Sequence, residues 1–426
     1  MNILSRSHNA AQKFTLQAQI LEVREYGEGN VNDTFLVTVE EMVGNARPTS
    51  TSEEMLGDAH PPAAAEGPQR FILQRLNTRV FPRPQLIMGN LRTFTEHVDA
   101  RLAREPLPPE RRWDQPKVLL TESGEDHWRD PDGFFWRALT FVADAESHYA
   151  VQSLDHAREV GWALGLFHKL ISDLPPDRLA DTLPGFHVTP GYLRRYDEVL
   201  GTGKGNREVG AGPPAAAVGQ TGGAASHPPG RAAGAWPGNS PEAAFCCRFI
   251  ETRRAWASVL EDAKSRGELP LRPIHGDPKV NNVMVDTATG QAVGLVDLDT
   301  VKPGLVHYDL GDCLRSGCNT LGEEIGNWEQ ARFEPEICRA ILRGYLSQAG
   351  DFLTPQDYDY FFDAVRLLPF ELGLRFFTDY LEGDVYFKVR YPGHNLLRAL
   401  VQFRLTESIE AQEGAIRGLI RDFLKK

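Results

Sequence analysis

Residues 274–299, IHGDPKVNNVMVDTATGQAVGLVDLD, constrain the fold more than any other part of this chain. They hold His275-Gly276-Asp277, then Asn282 five residues after that Asp, then Asp297 closing a second apolar run. Residues 283–285 and 293–296 read as short β-rich runs joined by Thr287-Ala288-Thr289-Gly290, where Gly supplies the positive φ of a tight hairpin. A hairpin returns the chain on itself, so Asn282 at its entrance and Asp297 at its exit come side by side. An amide oxygen and a carboxylate there are hard ligands suited to Mg²⁺. Asp277, one loop turn earlier, then faces the same ion-bound phosphate without ligating it. One Asp to orient an attacking hydroxyl, with an Asn and an Asp to hold metal, is a phosphotransfer arrangement. Each residue alone has an ordinary explanation, since Asp-Pro is a common turn and an Asp after a strand is usually a cap or a solvated loop residue. The joint spacing is what carries the reading.

Composition narrows the setting. At 426 residues the chain exceeds one typical domain, so two lobes are expected. A net charge of −12 disfavours nucleic-acid binding, which wants basic surface. Five Cys make no disulfide framework, and Cys313 and Cys318 lack a second Cys/His pair for zinc, so reduced structural thiols are expected. The N-terminus has no apolar core for a signal peptide, and no run of eighteen apolar residues occurs. These features predict a soluble, cytoplasmic protein with no membrane partner, and a monomer is expected.

Tyr26-Gly27-Glu28-Gly29-Asn30-Val31-Asn32-Asp33 leads into the alternating run Thr34-Phe35-Leu36-Val37-Thr38-Val39. A dinucleotide fingerprint would need a helix after the glycines. A strand follows instead, which suits a phosphate-covering loop between antiparallel strands. Residues 45–69, rich in Ala, Pro, Glu, Ser and Thr, read as a disordered excursion. The strand at 70–75 then sits where kinases keep a phosphate-binding Lys. Arg75 stands there and can grip phosphate with two N–H donors, with Glu96 the carboxylate placed to steady it.

Residues 133–142 read as a buried strand and 151–170 as an amphipathic helix, with His168 a structural histidine. The hinge falls between them, and adenine would meet backbone groups from Phe141 to Ala143. Residues 201–244 are dominated by Gly, Ala and Pro and read as a flexible insertion. Asp309 follows Asp297 by twelve residues, and protein kinases need a segment about twice as long there. The cleft is therefore expected to admit a small substrate, and Asp309 to bond the backbone of the catalytic loop. The rest is mostly helix, including 361–381 and 396–423, with Arg375, Asp379, Tyr380 and Tyr386 as polar groups in apolar surroundings.

The His-Gly-Asp, Asn and Asp spacing resembles the aminoglycoside phosphotransferase family, the small-molecule branch of the protein-kinase-like fold. Within it, YGEGNVNDTF, FILQRLNTRVF, IHGDPKVNN, VDLDTVKPGLVHYDLGDCLRSGCN and RFFTDYLEGDVYFKV resemble kinases that phosphorylate the anomeric hydroxyl of N-acetylhexosamines. That resemblance implies an α+β, two-lobed fold: a small antiparallel β N-lobe over 1–143 and a larger, mainly helical C-lobe over 144–426. It also implies ATP and Mg²⁺ as cofactors, Asp277 as base, and Asn282 and Asp297 as metal ligands. Gly27, Gly29, Asn30, Thr34, Arg75, Phe141 and Ala143 would then contact nucleotide, and Asp33, Arg375 and Tyr386 the amino sugar. Asn30 stands where those enzymes carry a His, which leaves the sugar open. An aminoglycoside acceptor would want a strongly acidic pocket, for which the C-terminal helices offer Asp379, Glu382 and Asp384. A choline- or homoserine-type kinase is a further option within the fold. A nucleotide-binding pseudokinase would lack one of Asp277, Asn282 or Asp297, and all three are present.

Overall fold

The computed structural model describes residues 2–15, 18–27, 31–40, 68–208 and 240–424. The N-terminal portion is built on strands β1 (Ile20–Glu25), β2 (Asp33–Val39), β3 (Gln69–Leu76), β4 (Val118–Leu119), β5 (Trp128–Arg129) and β6 (Phe135–Thr140). They form one antiparallel sheet in the order β1-β2-β3-β6-β4, with β5 also on β6. Alternation decides its two faces. Phe35, Val37, Val39, Phe71, Leu73, Trp136 and Ala138 point outward and are covered by helix α1 (Ile3–Ala11) through Ala10, Ala11 and the following Phe14. Each of these large side chains contributes about 1.5–3 kcal/mol by leaving water. The opposite face, with Gln74 paired across to Arg137, looks into the cleft.

Helix α2 (Pro84–Arg104) starts on a proline, whose missing N–H costs nothing at a helix N-terminus. It stacks Phe94 on Phe167 of α3 (Leu154–Leu170), 5.2 Å between rings. Ser153 caps α3, accepting the N–H of His156. The chain passes between sheet and α3 through β7 (Ala145–Glu146), which pairs with the later strand β9 (Val283–Asp286).

The larger portion is helical. After α4 (Thr189–Glu208), α5 (Pro241–Arg253) and α6 (Val259–Ser265) come β8 (Arg272–Ile274), the hairpin β9 (Val283–Asp286) and β10 (Ala292–Leu295), and β11 (Lys302–Gly304). Then follow α7 (Val306–Gly317), α8 (Pro335–Ala349), α9 (Pro355–Asp359), α10 (Phe361–Glu382), α11 (His394–Ala411) and α12 (Glu413–Leu424). Helices α3 and α8 meet backbone to backbone: a Cβ on Gly161 would lie 1.9 Å from the Ile341 carbonyl, and one on Gly344 1.9 Å from that of Arg158. Helix α10 carries Pro369 in its interior and packs on α7 and α11. Cys313, Cys318 and Cys338 are free thiols in the main core.

The fold is the expected small antiparallel sheet beside a larger helical part. Three element boundaries differ from the sequence reading. Gln69 already belongs to β3, α4 continues to Glu208, and Ser240 caps α5 by accepting the Ala243 N–H. Residues 41–67 and 209–239, the bulk of both expected insertions, lie outside the described residues. The helix read over 396–423 is two helices, broken at Gln412. No helix among the described residues is long and apolar enough to cross a membrane.

Candidate active site

The hairpin forms as its sequence demands, with Gly290 at φ 72° in the turn. The Val296 N–H donates to the Asn282 carbonyl at 2.9 Å, which sets the entrance and exit of the hairpin side by side. Asp297 follows in the left-handed region (φ 63°, ψ 54°), a conformation that Asp tolerates better than most residues. The Asn282 amide nitrogen donates to the Asp277 carbonyl at 2.7 Å and lies 3.4 Å from its carboxylate. Asn282 Oδ1 has no hydrogen-bond partner among the described residues.

The catalytic loop between β8 and the hairpin is pinned from below. Buried Asp309 accepts the His275 and Gly276 N–H groups at 2.7 and 2.8 Å. His168 donates to the same carboxylate at 2.9 Å and meets the Tyr345 hydroxyl at 3.1 Å, a structural role. Asp277 N–H donates to His275 Nδ1, so His275 Nε2 carries the proton given to the Val296 carbonyl. Gly276 has φ 88°, and a Cβ there would lie 2.7 Å from the Thr300 carbonyl. That crowding explains why no larger residue stands between His275 and Asp277.

Lys279 sits 2.8 Å from Asp277 Oδ2. Burial alone would raise the Asp277 pKa, but Lys279 outweighs it and holds the carboxyl below its usual range. Asp277 is thus ionised at neutral pH, as a base must be. Lys279 in turn is kept charged by Asp277 and Asp297 against the pull of burial. Asp297 is open to the cleft yet crowded by protein; this desolvation, with the charges of Asp299 and Asp277, raises its pKa to about 6. Crowded negative charge beside a free amide oxygen is chemistry that fits a divalent cation. No group of three His, Cys, Asp or Glu among the described residues could hold a metal unaided. Remaining ligands would have to come from nucleotide phosphates and water. Lys279 was missed in the sequence, although its place two residues beyond the Asp was signal enough.

Arg75 requires a correction. It lies opposite Trp136 in the register, hence on the outer face, while Gln74 and Arg137 face the cleft. Its Nε and terminal nitrogen donate to Asp33 at 2.8 and 2.5 Å, and its guanidinium lies over Phe134. This geometry argues against Arg75 gripping phosphate and against Asp33 reaching substrate; Asp33, not Glu96, is the partner. On the cleft side of the sheet Arg137, 1% exposed, donates to Gln74 Oε1 and to the carboxylate of Asp299. Asp299, 2% exposed, also accepts from Asn32 Nδ2 at 2.7 Å. The sheet, the end of the glycine loop and the turn after β10 are therefore joined by one buried network.

Thr34 takes its hydroxyl hydrogen bond from Gln74 on that cleft side, at 3.1 Å. Gly27 has φ 72°; Gly29 and Asn30 lie outside the described residues. Phe141 packs edge-on to Tyr26 and under Arg70, while the Ala143 carbonyl accepts from Arg112 at 3.0 Å. Behind them Val142, Met284 and Val293 form a small apolar cluster linking hinge and hairpin.

Arg375 and Tyr386 are brought together, 5.9 Å from guanidinium to ring. Phe186, Tyr192 and Phe387 complete a cage of rings around Arg375 at 5.1–5.4 Å. No carboxylate or hydrogen-bond acceptor pairs with Arg375 among the described residues. Asp379 is spent on structure, accepting the N–H groups of Val385, Tyr386 and Phe387 at 2.7–3.0 Å and thereby fixing the Tyr386 segment.

The sequence profile described as Phosphotransferase enzyme family, APH, matches residues 22–345, well over half of the chain. The chain belongs to that family. As a member of it, the protein is a phosphotransferase acting on a hydroxyl group. Its fold is similar to that of an aminoglycoside phosphotransferase from Alicyclobacillus acidocaldarius subsp. acidocaldarius DSM 446, with a TM-score of 0.56 and 15% identity over 97% of this chain and 96% of that one. A microcompartment-associated aminopropanol kinase aligns with a TM-score of 0.50 and 14% identity over 96% of this chain and 98% of its own. At such identities the phosphotransferase shares a fold with them, and its acceptor must be argued from its own residues.

Proposed function

We propose that the protein is an ATP- and Mg²⁺-dependent small-molecule kinase that phosphorylates the anomeric hydroxyl of an N-acetylhexosamine. The observation carrying this reading is Arg375: a cation with no carboxylate at ion-pair distance among the described residues, caged by aromatic rings and close enough to Glu371 and Asp277 to feel their charges. A positive group aimed at the acceptor repels cationic aminoglycosides and choline. It suits a neutral ligand rich in oxygen acceptors, and the rings supply a stacking face. The carboxylates that might have offset it are engaged elsewhere, Asp379 with backbone N–H groups, Glu382 with Arg195 and Asp384 with Asn395.

Asp277 would orient the sugar hydroxyl and take its proton as the oxygen attacks in line. Lys279 would offset negative charge on the transferred phosphoryl group. Asn282 Oδ1 and the Asp297 carboxylate would hold Mg²⁺, which when bound neutralises and templates the nucleotide phosphates. The 141–143 segment would receive adenine against Val142, Met284 and Val293, and Gly27 and Thr34 would border the phosphates. The test is ADP release across sugars, amino alcohols and aminoglycosides, followed by phosphorus NMR of the product. A 1-phosphate of N-acetylglucosamine or N-acetylgalactosamine is expected. Phosphate on C6, or turnover with cationic acceptors alone, refutes the assignment.

A further inference from the structure

His187 is buried on the far side of the catalytic loop, outside every motif read from the sequence. Its Nε2 lies 2.7 Å from the Gly276 carbonyl, the group covalently joined to the Asp277 nitrogen. Its Nδ1 lies 2.9 Å from Glu371 Oε1, and Glu371 Oε2 accepts the Thr189 hydroxyl at 2.6 Å. A backbone carbonyl and a carboxylate only accept. A neutral imidazole carries one N–H and would leave a lone pair facing oxygen, so only the doubly protonated ring satisfies both contacts. Phe186 and Tyr308 enclose the ring at 4.0 and 5.2 Å and fix its plane. The residue is held at φ 67°, an uncommon conformation for a side chain with a Cβ.

We infer that His187 is a positioning residue for phosphoryl transfer: as an imidazolium clamped between Glu371 and the Gly276 carbonyl, it sets the catalytic loop and ties the acceptor-binding helix to Asp277. The inference rests on the reading of Asp277 as the base. The tie is direct. Glu371 and Arg375 are four residues apart on α10 and so share a face of that helix. Phe186, next to His187 in the chain, is one of the rings around Arg375. The Gly276 N–H is held by Asp309 and its carbonyl by His187, so the peptide units before Asp277 are anchored from two sides.

The charged groups facing the ring are Glu371 from α10 and Asp312 from α7, with Arg375 beyond Glu371. Burial works to discharge the imidazolium, but Glu371, the Gly276 carbonyl and Asp312 outweigh it and hold the pKa above its usual value. Activity that depends on this charge stays full through the ordinary histidine range and declines only as pH rises through the elevated pKa.

The experiment uses the full chain labelled with ¹⁵N-histidine. Wild type is expected to show one histidine protonated on both nitrogens above neutral pH, its signal absent in His187→Gln. Glu371→Gln keeps the shape, removes the charge and turns one acceptor oxygen into an NH₂, which the Thr189 hydroxyl can accept by rotating while the amide oxygen still faces His187. In that variant the His187 titration and the alkaline limb of kcat are expected to move together to lower pH, with kcat reduced by about tenfold or more and KM for ATP nearly unchanged. A neutral His187 at pH 7 in wild type overturns the inference, as does a folded Glu371→Gln enzyme whose pH profile matches wild type. If Glu371→Gln does not fold, the wild-type spectrum still decides. Absence of turnover by wild type with every acceptor would instead refute the proposed function, and the spectrum, with hydrogen exchange at the Asp277 and Lys279 amides, would judge the clamp alone.

Discussion

Replacing Asp299 by Asn tests the buried network that joins the sheet to the turn after β10. The change removes one charge and almost no volume. Arg137, 1% exposed, would keep its positive charge opposite a neutral amide, and the new NH₂ would meet either Arg137 or Asn32 Nδ2, both donors. Breaking a buried ion pair from one side costs about 3–5 kcal/mol, because the surviving charge is stranded. For a chain of this length the unfolding entropy is roughly 0.9 kcal/mol per kelvin, so the melting temperature should fall by about 3–6 °C. Arg137→Met strands Asp299 in the same way, and the double variant Arg137→Met/Asp299→Asn should recover part of the loss, since no unpaired charge remains. Calorimetry at low and high salt supplies the numbers, and a buried pair should respond little to salt. A fall of under about 1 °C for either single variant, or strict additivity in the double, would refute the claim that this pair holds the two parts together.

Other consequences can be measured directly. Asp309→Ala deprives the His275 and Gly276 N–H groups of a charged acceptor, each bond being worth about 1.5–3 kcal/mol, so both Tm and kcat should fall; unchanged kcat would free Asp309 of its role. Asp379→Ala should raise the acceptor KM about tenfold or more with the ATP KM nearly unchanged, because Tyr386 loses its anchor; equal effects on both constants would point to general unfolding. His307 is buried, and desolvation lowers its pKa to about 4 from an ordinary value near 6.5. The unfolded chain therefore binds a proton that the folded one refuses, and stability should decline by about 2–3 kcal/mol as pH falls from 6.5 towards 4. His307→Phe should flatten that decline in urea titrations; an unaltered pH slope would contradict the assignment.

The parts of the site legible in the sequence were those set by local spacing. Asn282 and Asp297 are joined by a hairpin whose turn residues announce themselves, and Asp309 lies a fixed short step beyond. Parity misled the reading of Arg75. Side chains alternate along a strand, so a neighbour's difference of one residue moves the guanidinium to the other face. Deciding which face is the cleft required knowing that α1 covers Phe71, Leu73 and Trp136, and the sequence ILSRSHNAA advertises no such cover. Partners far apart in the chain were unreadable for another reason. Asn32 and Asp299 are 267 residues apart, and His187 and Glu371 are 184 apart, so no local pattern links them. Tyr192 likewise reaches Arg375 only through the packing of α4 on α10, and Phe186 from the loop before α4.

The glycine seam between α3 and α8 has a mechanical consequence. With Gly161 and Gly344 each placing one backbone against the other, no layer of side chains lies between the helices there to act as a lubricant. Sliding one past the other would drive carbonyl oxygens into Cα atoms, so the pair resists shear as a single beam. Helix α3 begins just after β7, where the chain leaves the sheet, and Asp144 beside that strand already sits at φ 53°. A rigid beam anchored at that point transmits torque without absorbing it. The hairpin β9–β10, whose Val283, Val285 and Leu295 share a core with Val160 and Leu164 of α3, therefore rests on a base that does not bend.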